Sequence, residues 1–261
     1  MCEAQNAVNP IGFTSILTKP QRKILVSKSD SSLNALAKRK IYMKFKRITI
    51  VSGHYGSGKT NIALNLSLDL KKQAENTAIA DIDIVNPYFR TKDSEELLAS
   101  EGIRLICSDY ANTNVDIPAL PQDIYAVTDD KTLYSILDVG GDERGALALG
   151  RISPKISEEN DYEMFYVVNK YRPLTKTPDL AIEVMREIEV ASGLKFTAII
   201  NNSNLGRETT PEDVLNSVEY ANQIAKATNL PIVYTTVYNN LYEPLKFKIN
   251  NLYPIGLQKK L

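Results

Sequence analysis

The octapeptide Gly53-His54-Tyr55-Gly56-Ser57-Gly58-Lys59-Thr60 limits the folds open to this chain more than any other segment. A β-branched run, Arg47-Ile48-Thr49-Ile50-Val51-Ser52, leads into it, and a helix-forming run, Asn61-Ile62-Ala63-Leu64, leads out. Between a strand and a helix, the pattern G-x-x-x-x-G-K-[ST] is a phosphate cradle rather than a chance string. Glycines permit positive φ and leave room for backbone N–H groups to close around phosphate oxygens. The helix that follows adds the positive end of its dipole. On this reading the segment from Gly53 to Asn61 holds a nucleotide. Lys59 reaches the β- and γ-phosphates, and the Thr60 hydroxyl ligates Mg²⁺.

Further strand and helix signals alternate downstream. Ile62, Leu64, Leu66, Leu68 and Leu70 suit a largely buried helix ending near Lys71-Lys72. After the first strand, others are expected over 77–83, 103–107, 133–138, 162–168, 196–200 and 231–237, seven in all. A short helix begins at Ser94-Glu95-Glu96 and is closed by Gly102, and residues 108–123 read as loop. Thr177-Pro178 and Thr210-Pro211 each pair an N-cap with a first-turn proline. Helices are therefore expected over 178–192, closed by Gly193, and over 211–228. This alternation implies an α/β fold: a mainly parallel sheet with helices on both faces, one domain over 43–261.

Ligands of such sheets sit beyond the carboxyl ends of the strands. Polar residues fall at those ends here: the glycine loop, Asp81 and Asp83, Asp138-Val139-Gly140-Gly141, and Asn201-Asn202. Asp138 after an apolar strand can hold Mg²⁺ directly or through water, and the Gly141 amide can bond a γ-phosphate. Asp83 can orient the attacking water or contact the metal's waters, with Asp81 beside it and Arg90 available for a phosphate or a carboxylate. Each of these also has a plain reading as a solvated loop residue. Asn169-Lys170-Tyr171-Arg172 begins like the guanine reader N-K-x-D but has Arg172 where an aspartate must accept from the guanine amine. Without that acceptor guanine loses its discriminating bonds, whereas the amide of Asn201 or Asn202 can serve adenine. ATP is expected over GTP.

Charge and cysteine content narrow the setting. The 261 residues have a formal net charge of zero and two cysteines, so they show no overall nucleic-acid or membrane footprint and no disulfide framework. A reduced, cytoplasmic location is expected. Residues 1–47 are the exception, with ten basic side chains against two acidic ones. Residues 1–42 read as a poorly packed extension: an organelle leader, a polyanion-binding arm, or an upstream stretch before a true start at Met43, which is favoured.

In their order along the chain, the glycine loop, Asp81-x-Asp83, Asp138-x-x-Gly141 and Asn201 resemble the CobQ/CobB/MinD/ParA nucleotide-binding domain over about residues 46–237. That group belongs to the P-loop NTPases, which also include the dethiobiotin synthetases. The resemblance implies a MinD-like three-layer sandwich, Mg-ATP as ligand, Asp83 near the hydrolytic water, Asp138 at the metal and Asn201 at the adenine. ParA- and MinD-like members carry an extra lysine just after the first glycine, which reaches a dimer partner's phosphates. His54, the only histidine, stands there instead, so activation across a nucleotide-dependent homodimer is in question.

Two functions are expected to compete. One is a slow Mg-ATPase, with Lys59 and Asp83 catalytic, that switches a partner protein. The other is a carboxylate-activating ligase of the dethiobiotin or cobyrinate kind, using the 109–123 stretch and Arg90 for a small carboxylate substrate. A non-hydrolysing nucleotide sensor is favoured only if Asp83 points away from the γ-phosphate.

Overall fold

The computed structural model describes residues 44–82, 94–107, 122–141 and 143–257. The expected extension over 1–42 lies outside them. Eight parallel strands are described: β1 (Ile48–Ser52), β2 (Thr77–Ile82), β3 (Arg104–Ile106), β4 (Tyr134–Val139), β5 (Tyr162–Val168), β6 (Ala198–Asn201), β7 (Ile232–Tyr238) and β8 (Leu252–Ile255). They form one sheet in the order β3-β2-β4-β1-β5-β6-β7-β8.

The helices are α1 (Lys59–Lys71), α2 (Glu95–Ser100), α3 (Ala126–Asp129), α4 (Glu143–Gly150), α5 (Ser153–Glu159), α6 (Pro178–Ser192), α7 (Pro211–Thr228) and α8 (Asn239–Leu245). Parallel crossovers are right-handed, so the direction of travel along the sheet decides which face a helix covers. From β1 to β3 the chain moves one way, and α1 and α2 pack with Val51, Ile79 and Ile136 on one face. From β3 to β8 it moves back, and α3 to α7 pack with Ile50, Leu137 and Tyr166 on the other. The reversal occurs around β1, which pairs with β4 on one side and β5 on the other. A ligand crevice belongs at that point.

Helix α1 buries nearly every position, including Asn65 and Asp69, as expected of a helix apolar on most sides. Its buried polar groups are paired: Asn65 exchanges hydrogen bonds with Gly256 O (3.0 Å) and Gly256 N (2.9 Å), and Tyr253 donates to Asp69 at 2.6 Å. These bonds fasten the edge strand to α1. The N-caps of α6 and α7 form as the Thr-Pro pairs predict, Thr177 accepting from Leu180 N and Thr210 joining Asp213 in a capping box.

The eighth strand, over Leu252–Ile255, is a departure from the sequence reading, which expected seven strands and none after 231–237. As an edge strand paired on one side with β7, β8 tolerates Pro254 because a proline there gives up no ladder bond the sheet needs. Helices α3, α4, α5 and α8 were likewise not anticipated, and α8 even contains Pro244. Among the described residues no helix is long and apolar enough to cross a membrane.

Below the sheet, Arg47 is 4% exposed and bonded on all sides. Its guanidinium pairs with Glu159 and donates to the carbonyls of Val127 (2.8 Å), Leu133 (3.0 Å) and Asp130 (3.3 Å). Lys131 also reaches Glu159, at 2.7 Å. This cluster ties the start of β1 to the β3–β4 crossover.

Candidate nucleotide-binding site

Strand β1 is buried along its whole length and delivers the chain to the glycine loop at the sheet's carboxyl edge. The loop closes with a turn in which Ser57 N donates to His54 O at 3.1 Å, and Lys59 Nζ reaches the same carbonyl at 3.3 Å. Lys59 is only 5% exposed, its ammonium held over the loop rather than in solvent. Gly58 caps α1 with φ 90° and ψ 24°, a left-handed conformation that costs an L side chain strain. A Cβ there would also meet Asn202 Nδ2 at 2.3 Å. The Gly58 carbonyl then accepts from Ile62 N, so the loop passes into α1 without a break.

Two carboxylates lie beside this loop. Asp138, at the end of β4, is register partner to both Val51 and Asp81. Neighbours in register share a face, and Val51 belongs to the face that α1 covers. Asp138 (1% exposed) and Asp81 (7%) are therefore adjacent acids on the side of Lys59 and Thr60. Gly141 closes the site from β4: a Cβ on it would sit 2.5 Å from Tyr55 N and 2.6 Å from Gly53 O.

The model of the CobQ/CobB/MinD/ParA nucleotide binding domain matches residues 48–229, which include the loop, both acids and Gly141. The chain belongs to this family. A comparison with curated proteins gives no match. Among solved structures it is similar to FtsY from Mycoplasma mycoides (16% identity, 78% of this chain and 66% of that one, TM-score 0.44). It is also similar to the cell division protein FtsY of Thermotoga maritima (15%, 80% and 69%, TM-score 0.48). A third is the signal recognition particle 54 kDa protein of Aeropyrum pernix in complex with GDP (15%, 72% and 41%, TM-score 0.45). The chain thus spans about two thirds or less of the lengths of these proteins, and the likeness is one of fold.

As a member of the CobQ/CobB/MinD/ParA family, the chain also shows how the neighbouring strands brace its loop. Arg172, after β5, donates from Nε to Gly56 O at 2.7 Å, and Asn202, after β6, donates from Nδ2 to Ser57 O at 2.5 Å. Asn202 in turn accepts from the Thr236 hydroxyl of β7. The sequence reading had offered Asn202 only as an alternative to Asn201 at the adenine and had treated Arg172 only as a missing aspartate. Their contact with the loop spans more than a hundred residues of chain, so no local signal could reveal it.

Asn201, expected at the adenine, is fully buried. Its Nδ2 donates to Ser217 Oγ at 2.9 Å, and its Oδ1 accepts from Ser203 N and Ser203 Oγ. As it stands the amide braces β6 against α7. Asn169 is equally internal, its Oδ1 accepting from Tyr171 N and Asn204 N. His54 is half-buried, with Nδ1 2.8 Å from Tyr55 O. Asp83, Arg90 and the 109–121 stretch lie outside the described residues.

A groove of about 1210 Å³ opens beside the loop, lined by His54, Tyr55 and Gly141 at one end and by α6 along its length. Tyr55, Leu147, Leu174 and Val190 are exposed along it, with Val190 at 83%. Glu183, Arg186 and Glu187 also line it, so this is an accessible surface of mixed apolar and charged character continuous with the nucleotide site.

Proposed function

We propose that this chain binds Mg-ATP, hydrolyses it slowly and uses the bound state to switch its contact with a partner protein, in the cytoplasm. The observation that carries the reading is the fit between Gly141 and the glycine loop. Because the end of β4 rests against Tyr55 and Gly53 with no room for a methyl group, a γ-phosphate in the loop would be felt at once by Gly141 and by α4 behind it. The exposed groove begins at that contact and offers a partner surface, which supports a switch.

The residues present suit the metal. The Thr60 hydroxyl and the paired Asp138 and Asp81 carboxylates are hard oxygen donors, the set that Mg²⁺ takes together with phosphate and water. When bound, Mg²⁺ would neutralise phosphate charge. We assign it to Thr60 and Asp138, with Asp83, the next acid along the chain from Asp81, as a further ligand and as the group that orients the attacking water. Lys59 holds the β- and γ-phosphates, and the loop amides from Gly53 to Asn61 enclose them.

For the base, Arg172 supports ATP. It is a donor only, and cannot accept from the guanine amine as an aspartate would. Asn201 would contact adenine only by releasing Ser217 and Ser203.

The test is a titration of ATP and GTP into the wild type and Lys59→Ala, with ATP turnover followed against protein concentration. Wild type should bind ATP more tightly than GTP, and Lys59→Ala should lose both binding and turnover. Unchanged turnover in Lys59→Ala removes the central claim, and tighter GTP binding removes the base preference. Turnover rising with protein concentration would point to a nucleotide-dependent homodimer.

A further inference from the structure

We propose that Arg172 is a positioning residue for the nucleotide's phosphates, acting through the turn over residues 54–57; this rests on the nucleotide-binding reading above. Gly56 has φ +73°, and a glycine in that conformation can turn its peptide over at little cost. The bond from Arg172 Nε to Gly56 O removes that freedom. The end of the side chain is close against the loop: Nε, Cζ and Cδ are 3.5, 3.7 and 3.8 Å from where a Gly56 Cβ would be.

The peptide so held is the one whose N–H, on Ser57, donates to His54 O. That carbonyl also receives Lys59 Nζ. A charged donor on an amide oxygen polarises the group and strengthens its N–H as a donor. Arg172 therefore tightens the turn that sets the Lys59 ammonium, and adds positive charge beside the phosphate cradle.

The arginine is itself held firmly. Arg172 N donates to Asn169 O at 3.2 Å, Thr175 N donates to Arg172 O at 3.1 Å, and Thr175 Oγ1 donates to Asn169 O at 2.9 Å. Pro173 follows, which confines Arg172 to the extended backbone it shows, φ −101° and ψ 134°. A guanidinium presented by a pinned loop loses little freedom on making its bond. The position is one where a guanine-reading loop would carry an acid, so the exchange adds a cation beside the phosphate site.

The experiment measures ADP and ATP affinity by calorimetry, and melting temperature without nucleotide, for wild type, Arg172→Met and Arg172→Lys. Arg172→Met should weaken both nucleotides about tenfold (~1.4 kcal/mol), and Arg172→Lys should stay within about threefold, because the cation and donor remain. Neither should shift the melting temperature, since the arginine is exposed and its bond is to a surface loop. Wild-type affinity in Arg172→Met overturns the proposal. So does an affinity loss in both variants that tracks a fall in melting temperature, which would mark a merely structural contact. A wild type that binds neither nucleotide would instead sink the nucleotide-binding reading, and this proposal with it.

Discussion

Replacing Gly141 with alanine adds a Cβ that would lie 2.5 Å from Tyr55 N, 2.6 Å from Gly53 O and 2.7 Å from the His54 carbonyl carbon. All three are backbone atoms of the glycine loop, so no side chain can rotate out of the way. Restoring contacts of about 3.4 Å requires the loop and the β4 end to part by roughly 1 Å. Overpacking of this kind costs about 1–3 kcal/mol of stability. Its effect on binding is larger. A loop amide at ~2.9 Å from a phosphate oxygen would move to ~3.9 Å, beyond hydrogen-bond range. One such bond to a charged acceptor is worth about 1.5–3 kcal/mol, so affinity should fall at least tenfold. Urea unfolding without nucleotide and calorimetric titration with ADP measure the two effects separately. Gly150→Ala is the control: its Cβ would meet Ala191 O at 3.2 Å at the end of α4, and affinity should not change. A Gly141→Ala protein with an unshifted urea midpoint and ADP affinity within twofold of wild type would refute the reasoning.

Two further outcomes follow from the same geometry. Bonding to Arg47 holds the Glu159 carboxyl below its ordinary range, so the unfolded chain binds more protons and stability falls as pH drops through the folded-state value. Burial raises Glu163 instead, so its contribution has the opposite sign and stability falls as pH rises through the carboxylate range. Urea midpoints between pH 4 and pH 8 should therefore drop for Glu159→Gln at neutral pH and hold or rise for Glu163→Gln; the same sign for both would contradict this assignment. For His54→Lys, turnover that climbs more steeply with protein concentration than in wild type would show a dimer partner restored to reach. An unchanged profile would leave His54 as a loop residue.

Much of the fold could be read from local signals because each acts within a few residues. The Thr-Pro starts of α6 and α7 work through one hydroxyl and one fixed φ. The apolar runs of β1 and β5 are buried on both faces of a parallel sheet, and so carry their own evidence. Strand β8 was not legible because its stability comes from β7 and from the bonds between Asn65 and Gly256, on the far side of the chain. Helices α3, α4, α5 and α8 are short, and they depend on packing rather than on propensity.

For the candidate site, the sequence by itself picked out the glycine loop with its lysine and threonine, and the acid at the end of β4. A glycine pattern between a strand and a helix has one compact solution, and β4 must end where its apolar run ends. Only the tertiary structure decided which asparagine faces the loop and what Arg172 contacts. Asn201 and Asn202 are adjacent, and a strand sends adjacent side chains to opposite faces: one enters the interior against Ser217, the other reaches Ser57. Arg172 shows no role in the sequence beyond an absent aspartate, since its partner, the Gly56 carbonyl, is brought to it by the pairing of β1 with β5.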